Sequence, residues 1–265
     1  MTNSTDAEIT PSSVTPRVYP GPSLSYRVAG VGDEEWFFKS GRQSVKDIEA
    51  ALALVGRSIS TFTQILDFGC GCGRILTWLN RLPSTAVLTG VDIDAEAIAW
   101  VQQHLPHVRA QVNQPLPPLP YPDGYFDLVY NHSVFTHIDA YFQDRWLAEL
   151  RRVTKPGGLI VASVNGDHAF QQFEESHRRN GGEPAPLREG RDRDGLLFIE
   201  DDEWQDGPFP DFYHSTFHAP WYVLQHWGQF FRLRAYILRG ALDFQDLVLL
   251  ERAADVRGLS GVNRR

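Results

Sequence analysis

A chain of 265 residues that is 42% hydrophobic, 12% aromatic and 22% charged has the composition of one or two globular domains, which excludes collagen, coiled coil and wholesale disorder. No run of about 18 apolar residues suggests a membrane-spanning helix, and the N-terminal MTNSTDAEITPSSVTPRVYPGPS lacks the basic start and apolar core of a secretory leader. The formal net charge is -8, the only lysines are Lys39, Lys46 and Lys155, and no basic run occurs, so a nucleic-acid or anionic-membrane partner is not expected.

Residues 1–22, rich in Ser, Thr and Pro, read as a disordered tail; 23–252 read as one domain, and 253–265 as a second tail. From Ser44 to Gly56, Val45, Ile48, Leu52 and Val55 fall at helical spacing, with Ser44 and Asp47 as a capping box. TQILDF (63–68) reads as a short apolar strand, RILTWLNRL (74–82) as a helix ended by Pro83, and AVLTGVD (86–92) as a buried strand. Asp94 caps a helix carrying Ile98, Val101 and Leu105. VRAQV (108–112) and YFDLVY (125–130) are strands, and Asp139 caps a helix with Phe142, Trp146, Leu150 and Val153. Lys155-Pro156-Gly157-Gly158 then turns into LIVASV (159–164).

Continuous apolar strands alternating with amphipathic helices imply an α/β fold, a doubly wound and mostly parallel sheet covered on both faces. FFRLRAYIL (230–238) and DLVLLER (246–252) add an antiparallel edge hairpin, for seven strands in a Rossmann-like arrangement. Residues about 166–218 interrupt the alternation, polar at first and then dense in aromatics. A connection this long reads as a lid insertion.

The strongest chemical signal is Asp67-Phe68-Gly69-Cys70-Gly71-Cys72-Gly73-Arg74, which joins a strand to the segment after it. Alternate glycines permit positive φ and close approach of a ligand to the backbone. Neither G-x-G-x-x-G nor a P-loop Gly-Lys-Ser/Thr is present. Asp67 suits a ligand bearing an ammonium group. Asp92 ends a strand about 20 residues after the glycines, where a carboxylate can accept from both ribose hydroxyls. Asp94 reads as a helix cap. Pro115, Pro117, Pro118, Pro120 and Pro122 keep 115–122 out of any central strand. The segment 131–138 therefore lies at the carboxyl end of the strand before it, where open α/β sheets bind ligands. Cys70 and Cys72 are too close for an ordinary disulfide and too few for zinc, which fits packing residues in a reducing cytoplasm. The consecutive acids Glu200, Asp201, Asp202 and Glu203 read as a solvated loop, and no metal is expected.

These motifs resemble those of class I S-adenosylmethionine-dependent methyltransferases. The matches are ILDFGCGCGR (65–74), GVDID (90–94), LPYPDGYFDLVY (119–130), SVFTHI (133–138) and VTKPGGLIVAS (153–163), in the family's order over roughly residues 40–165. FYHSTFHAPWYVLQHWG (212–228) is similar, more loosely, to bacterial small-molecule methyltransferases. The resemblance implies S-adenosylmethionine as cofactor, with Gly69, Gly71 and Gly73 against its methionine part. It places Asp67 at the amino group, Asp92 at the ribose, Ile93 on the adenine, and Asn131 among the cofactor contacts. Many members carry an acid for the adenine amine after the third strand. Here Asn113 stands in that region and offers an amide oxygen. Arg42 is the candidate for the methionine carboxylate, against a solvated surface role.

His132 and His137 border the methyl-transfer region, and Tyr213, His214 and His218 lie in the aromatic insertion. His137, His214, His218 and Tyr213 are the candidates for catalytic work, each histidine set against a plain structural role. The reading is methyl transfer to a small-molecule acceptor, aromatic or apolar in character, by in-line displacement. The alternatives are an RNA or protein acceptor, and a fold that binds cofactor without turnover. A nicotinamide reductase is disfavoured by the spacing after Gly71. The oligomeric state is left open.

Overall fold

In the computed structural model, which describes residues 17–200 and 209–254, nine strands form. They are β1 (Gln64–Phe68), β2 (Val87–Asp92), β3 (Val108–Val112), β4 (Phe126–Asn131), β5 (Thr154–Val164), β6 (Leu196–Ile199), β7 (Ser215–His218), β8 (Arg232–Ala241) and β9 (Gln245–Glu251). Seven make one sheet in the order β3-β2-β1-β4-β5-β9-β8. The first five run parallel, and β9 lies antiparallel between β5 and β8. The α/β sheet with an antiparallel edge hairpin is thus as the sequence pattern implies. Strand order reverses at β1, between β2 and β4, so a crevice opens at their carboxyl ends.

The helices are α1 (Pro22–Ala29), α2 (Glu34–Ala53), α3 (Ala95–His104), α4 (Ala140–Val153), α5 (Asp167–Arg179), α6 (Pro184–Asp194) and α7 (Pro220–His226). Alternate strand residues feed two cores. Ile65, Leu128 and Leu249 pack with Ile48 and Leu52 of α2 and Ile98 and Val101 of α3. Leu66, Val129 and Val248 pack with Trp146 and Leu150 of α4 and Val223 of α7. Each such fully buried side chain contributes roughly 1.5–3 kcal/mol, so both faces hold the sheet in place.

Four expectations need correction. The first long helix begins at Glu34, not Ser44: Asp33 is its cap, accepting from the Trp36 N–H at 2.6 Å. Ser44 is buried in mid-helix and donates back to the Ser40 carbonyl at 3.0 Å. Residues 74–82 form turns and a single 3₁₀ turn at Leu76–Trp78 instead of a helix. From Gly71 to Thr77 every residue is buried, so the segment is a wedge in the core with no solvent face to favour a regular amphipathic helix. The tail read as 1–22 overlaps ordered chain: the Arg17 guanidinium stacks 3.5 Å over the Trp78 ring, and Tyr19 meets Phe37. Finally, the insertion is not a loop. It contains α5, α6 and the β6–β7 hairpin, with Phe170, Phe217 and Ala169 in a core of their own. Residues 1–16, 201–208 and 255–265, including Asp201, Asp202, Glu203 and most of the second tail, lie outside the described residues.

Candidate active site

A cavity of about 700 Å³ occupies the crevice. Its floor is the turn after β1, its near wall the ends of β2 and β3, and its far wall His132–Val134 with Phe209–Tyr213 from the insertion. Gly69, Gly71 and Gly73 all take left-handed φ, at 82°, 51° and 81°. A Cβ on Gly71 would lie 2.1 Å from Val28 Cγ1, and one on Gly73 2.5 Å from Leu105 Cδ1. Both the conformation and the space therefore demand glycine.

Asp92 is bound to that turn. Its Oδ2 accepts the Gly71 N–H at 2.7 Å, and its Oδ1 accepts the Asp94 N–H at 2.9 Å. Each oxygen keeps a further lone pair for a ligand hydroxyl. Asp94 does cap α3, accepting from the Glu96 and Ala97 N–H groups at 3.0 and 3.2 Å. Ile93 and Asn113 line the same wall. The Asn113 side-chain amide donates to the Gln114 carbonyl at 2.7 Å, which leaves its oxygen as the accepting end.

Asp67 is 2% exposed, and burial pushes its carboxyl up to about 8 against the nearby Arg74 cation. Arg74 is itself buried on the cavity wall, lowered to about 10 by desolvation, and donates to Ser44 Oγ at 3.2 Å. Arg42 does not reach the cavity. It lies on the outward face of α2, exposed, 5.8 Å over the Trp78 ring. Arg74 stands where Arg42 was expected. Its signal was its place in the glycine motif, directly after Gly73.

Asn131 is buried at the end of β4 with neither side-chain amide atom hydrogen-bonded, and it is not among the cavity-lining residues. Ser133, two residues on, does line the cavity in the left-handed region at φ 60°. Gln245 of β9 meets its hydroxyl, and the Ser163 hydroxyl accepts its N–H at 2.8 Å.

Among the four residues expected to do catalytic work, the structure brings only Tyr213 to the cavity wall. Its ring is sandwiched between His137, at 4.1 Å, and Phe209, at 4.6 Å, both nearly parallel to it. His137 stands behind Tyr213, its Nδ1 3.0 Å from the His214 carbonyl, and burial lowers it to about 4. His214 packs edge-on to Phe198, away from the cavity. His218 is fully buried, its Nε2 3.1 Å from Gln143 Oε1, and burial lowers it to about 3. His218, at the end of β7, and His214, just before it, thus lie outside the cavity lining. His132 is on the wall, and burial followed by the Arg74 cation pushes it well below its usual value. Arg27 and Val28 of α1 also line the cavity, from a stretch where the sequence carries no motif. Burial pushes both thiols up, that of Cys72 to about 12, which keeps them unreactive. Among the described residues, no group of three or more His, Cys, Asp or Glu is placed to hold a metal ion, and no helix is long and apolar enough to cross a membrane.

Residues 66–162 match the family model described as a methyltransferase domain. The malonyl-[acyl-carrier protein] O-methyltransferase of Geobacter sulfurreducens is 33% identical over 142 residues, which are 52% of this chain and 51% of that protein. The ribosomal protein L11 methyltransferase of Burkholderia cenocepacia is 32% identical over 107 residues, 40% of this chain and 33% of that one. The chain thus spans about half the length, or less, of these curated relatives. A crystal structure of a protein from Pyrococcus horikoshii shares the fold, with TM-score 0.57 and 18% identity over 85% of this chain and 97% of that one. The matched segment, a methyltransferase domain over residues 66–162, holds the glycine turn, Asp92 and most of the parallel strands that frame the cavity.

Proposed function

We propose that the chain transfers a methyl group from S-adenosylmethionine to a small-molecule acceptor with an apolar or aromatic body. The observation that carries this reading is that one cavity joins the Asp92–Gly71 cradle to an aromatic wall at its other end. The residues fit the cofactor. Asp92 holds the ribose hydroxyls, Ile93 packs on the adenine, and Asn113 accepts from the adenine amine. Asp67 meets the ammonium and Arg74 forks onto the carboxylate. When bound, the cofactor supplies an electrophilic methyl on a sulfonium. The chain's part is alignment, worth several kcal/mol of barrier, and exclusion of water by Phe209, Phe212 and Tyr213.

His132 is the one histidine among the described cavity-lining residues. Burial and the Arg74 cation keep it neutral and make it a weak base, so its part is to accept a hydrogen bond from an acceptor hydroxyl or amine and orient it. A protein acceptor is the second reading, since one curated relative is named for ribosomal protein L11. A deep crevice with an aromatic wall favours the small molecule.

Calorimetric titration with S-adenosylhomocysteine is expected to give a stoichiometry near one, and tighter binding of a nicotinamide dinucleotide would overturn the reading. Incubation with S-adenosylmethionine and a cell extract split by size tests the acceptor. Demethylated cofactor is expected to accumulate with the low-mass fraction; accumulation only with the protein fraction favours the second reading.

A further inference from the structure

Helix α1 is held by side-chain contacts, among them Ser25 Oγ to the Val31 carbonyl at 3.0 Å and Trp36 Nε1 to the Ala29 carbonyl at 3.3 Å, and is flanked by two glycines. Gly21 before it and Gly30 after it are left-handed, at φ 89° and 71°, and a Cβ on either would meet nothing within 4 Å. These glycines answer to backbone conformation and not to crowding. Eight residues between two such joints are too few to hold a helix by their own hydrogen bonds. What holds α1 is tertiary contact with the cofactor cradle. Leu24 is buried beside Phe37 and Cys72, and Val28 presses its Cγ1 against Gly71. Arg27 reaches across to the start of α3, pairing with Asp94 at 2.8 Å and Glu96 at 2.7 Å. Asp94 follows the strand that ends in Asp92, so the ion pair ties α1 to the ribose end of the cavity. Arg27 and Val28 are the only described lining residues that precede Asp67.

We infer that α1 is a strap over the cofactor end of the cavity, that Arg27 is its latch, and that release of this latch sets the rate at which cofactor leaves. The inference rests on the cavity being the site of S-adenosylmethionine. Arg27 is a positioning residue: its guanidinium is committed to Asp94 and Glu96 and acts on the ligand through the helix it pins. The latch is electrostatic and only partly buried, with Arg27 13% and Glu96 66% exposed, so added salt weakens it. Gly21 and Gly30 are the positions about which the helix would turn, with the Ser25–Val31 and Trp36–Ala29 hydrogen bonds broken and the strands beneath intact.

The test is stopped-flow release of S-adenosylhomocysteine from the full chain. Arg27→Ala is expected to raise the dissociation rate about three- to tenfold, with Glu96→Gln smaller and Arg27→Lys between Arg27→Ala and the unsubstituted chain. Raising salt from about 0.05 to 0.5 M is expected to speed release from the unsubstituted chain and to change Arg27→Ala little. A merely structural arginine would lower the melting temperature without this salt signature. An unchanged dissociation rate in Arg27→Ala, or slower association alone, removes the strap and leaves the cofactor reading intact. Failure of the unsubstituted chain to bind S-adenosylhomocysteine overturns both.

Discussion

The Asp92 carboxylate accepts the backbone N–H of Gly71, 21 residues earlier in the chain, at 2.7 Å. One side chain therefore shapes the glycine turn and faces the cavity. Asp92→Ala removes an acceptor from ribose hydroxyls in a partly desolvated site and frees the turn. Binding of S-adenosylhomocysteine is expected to weaken by about 2–3 kcal/mol. Titration calorimetry on a variant with an unchanged circular dichroism spectrum checks it, and an unaltered dissociation constant would show the ribose held elsewhere.

Arg74 and Arg42 make opposite predictions. Arg74→Gln should weaken S-adenosylhomocysteine binding about tenfold or more, the scale of a lost charge-assisted pair. Methylthioadenosine, which lacks the amino-acid carboxylate, should bind this variant as well as it binds the unsubstituted chain. Arg42→Ala, on an exposed helix face, should leave both ligands unaffected.

Asp67 couples binding to pH. Burial raises its carboxyl to about 8, so at neutral pH the cofactor-free protein holds a proton there. The ammonium of the cofactor needs the ionised form. Affinity should therefore rise between about pH 6.5 and 8, with up to one proton released on binding. Calorimetry in buffers of different ionisation enthalpy reads that proton, and Asp67→Asn should abolish it. The sign for stability is opposite. A carboxyl raised in the folded state stabilises at low pH, and that share is lost as pH climbs toward 8. His218, lowered to about 3, acts below about pH 6.5: its share is present above that pH and is lost on acidification.

Tyr213 and His218 should separate cleanly. Tyr213→Phe keeps the sandwich with Phe209 and His137 and is expected to preserve cofactor affinity. Tyr213→Ala loses two ring contacts of about 0.5–1.5 kcal/mol each and opens the wall, so methyl transfer should fall more than cofactor binding. His218→Ala should cost roughly 2–4 kcal/mol of stability, through a core void and the loss of the Gln143 Oε1 partner, with cofactor affinity unchanged. Thermal melts paired with titrations distinguish the two.

Strands were the most legible part of the sequence. TQILDF, AVLTGVD, VRAQV and YFDLVY are strands to within one residue; the central ones are largely apolar because both sheet faces bury them, while VRAQV, on the edge and half-exposed, alternates instead. The glycine turn and Asp92 were legible for a similar reason: a left-handed backbone bonded to a carboxylate demands particular residue types at particular spacing. The helix read at 74–82 failed because its apolar residues serve a wedge buried on every side, and periodicity cannot distinguish that from an amphipathic face. The sequence points to Arg42 as the carboxylate partner, against a solvated surface role, and not to Arg74, because nothing local says which arginine points inward; in the structure Arg74 is buried and meets Ser44 on the buried face of α2. The pairing of β7 with β6 sets His218 opposite Leu196, away from the cavity, and His214, just before the strand, packs on Phe198 instead; neither placement can be read from residue type.

The hairpin of β8 and β9 has a bearing on biosynthesis. Leu159–Val164 of β5 are all buried, and the strand that covers their open side is β9, more than 80 residues later. A ribosome can have delivered the glycine turn, Asp92 and Tyr213 while that apolar flank still presents a row of bare N–H and C=O groups. Such a flank is a template for strand addition by other nascent chains. Once β9 docks, the edge becomes β8, which carries Arg232, Arg234 and Arg239 and two breaks in register, features that discourage further pairing. Chains truncated before Gln245 should therefore aggregate during synthesis even though every residue of the cavity wall has been made.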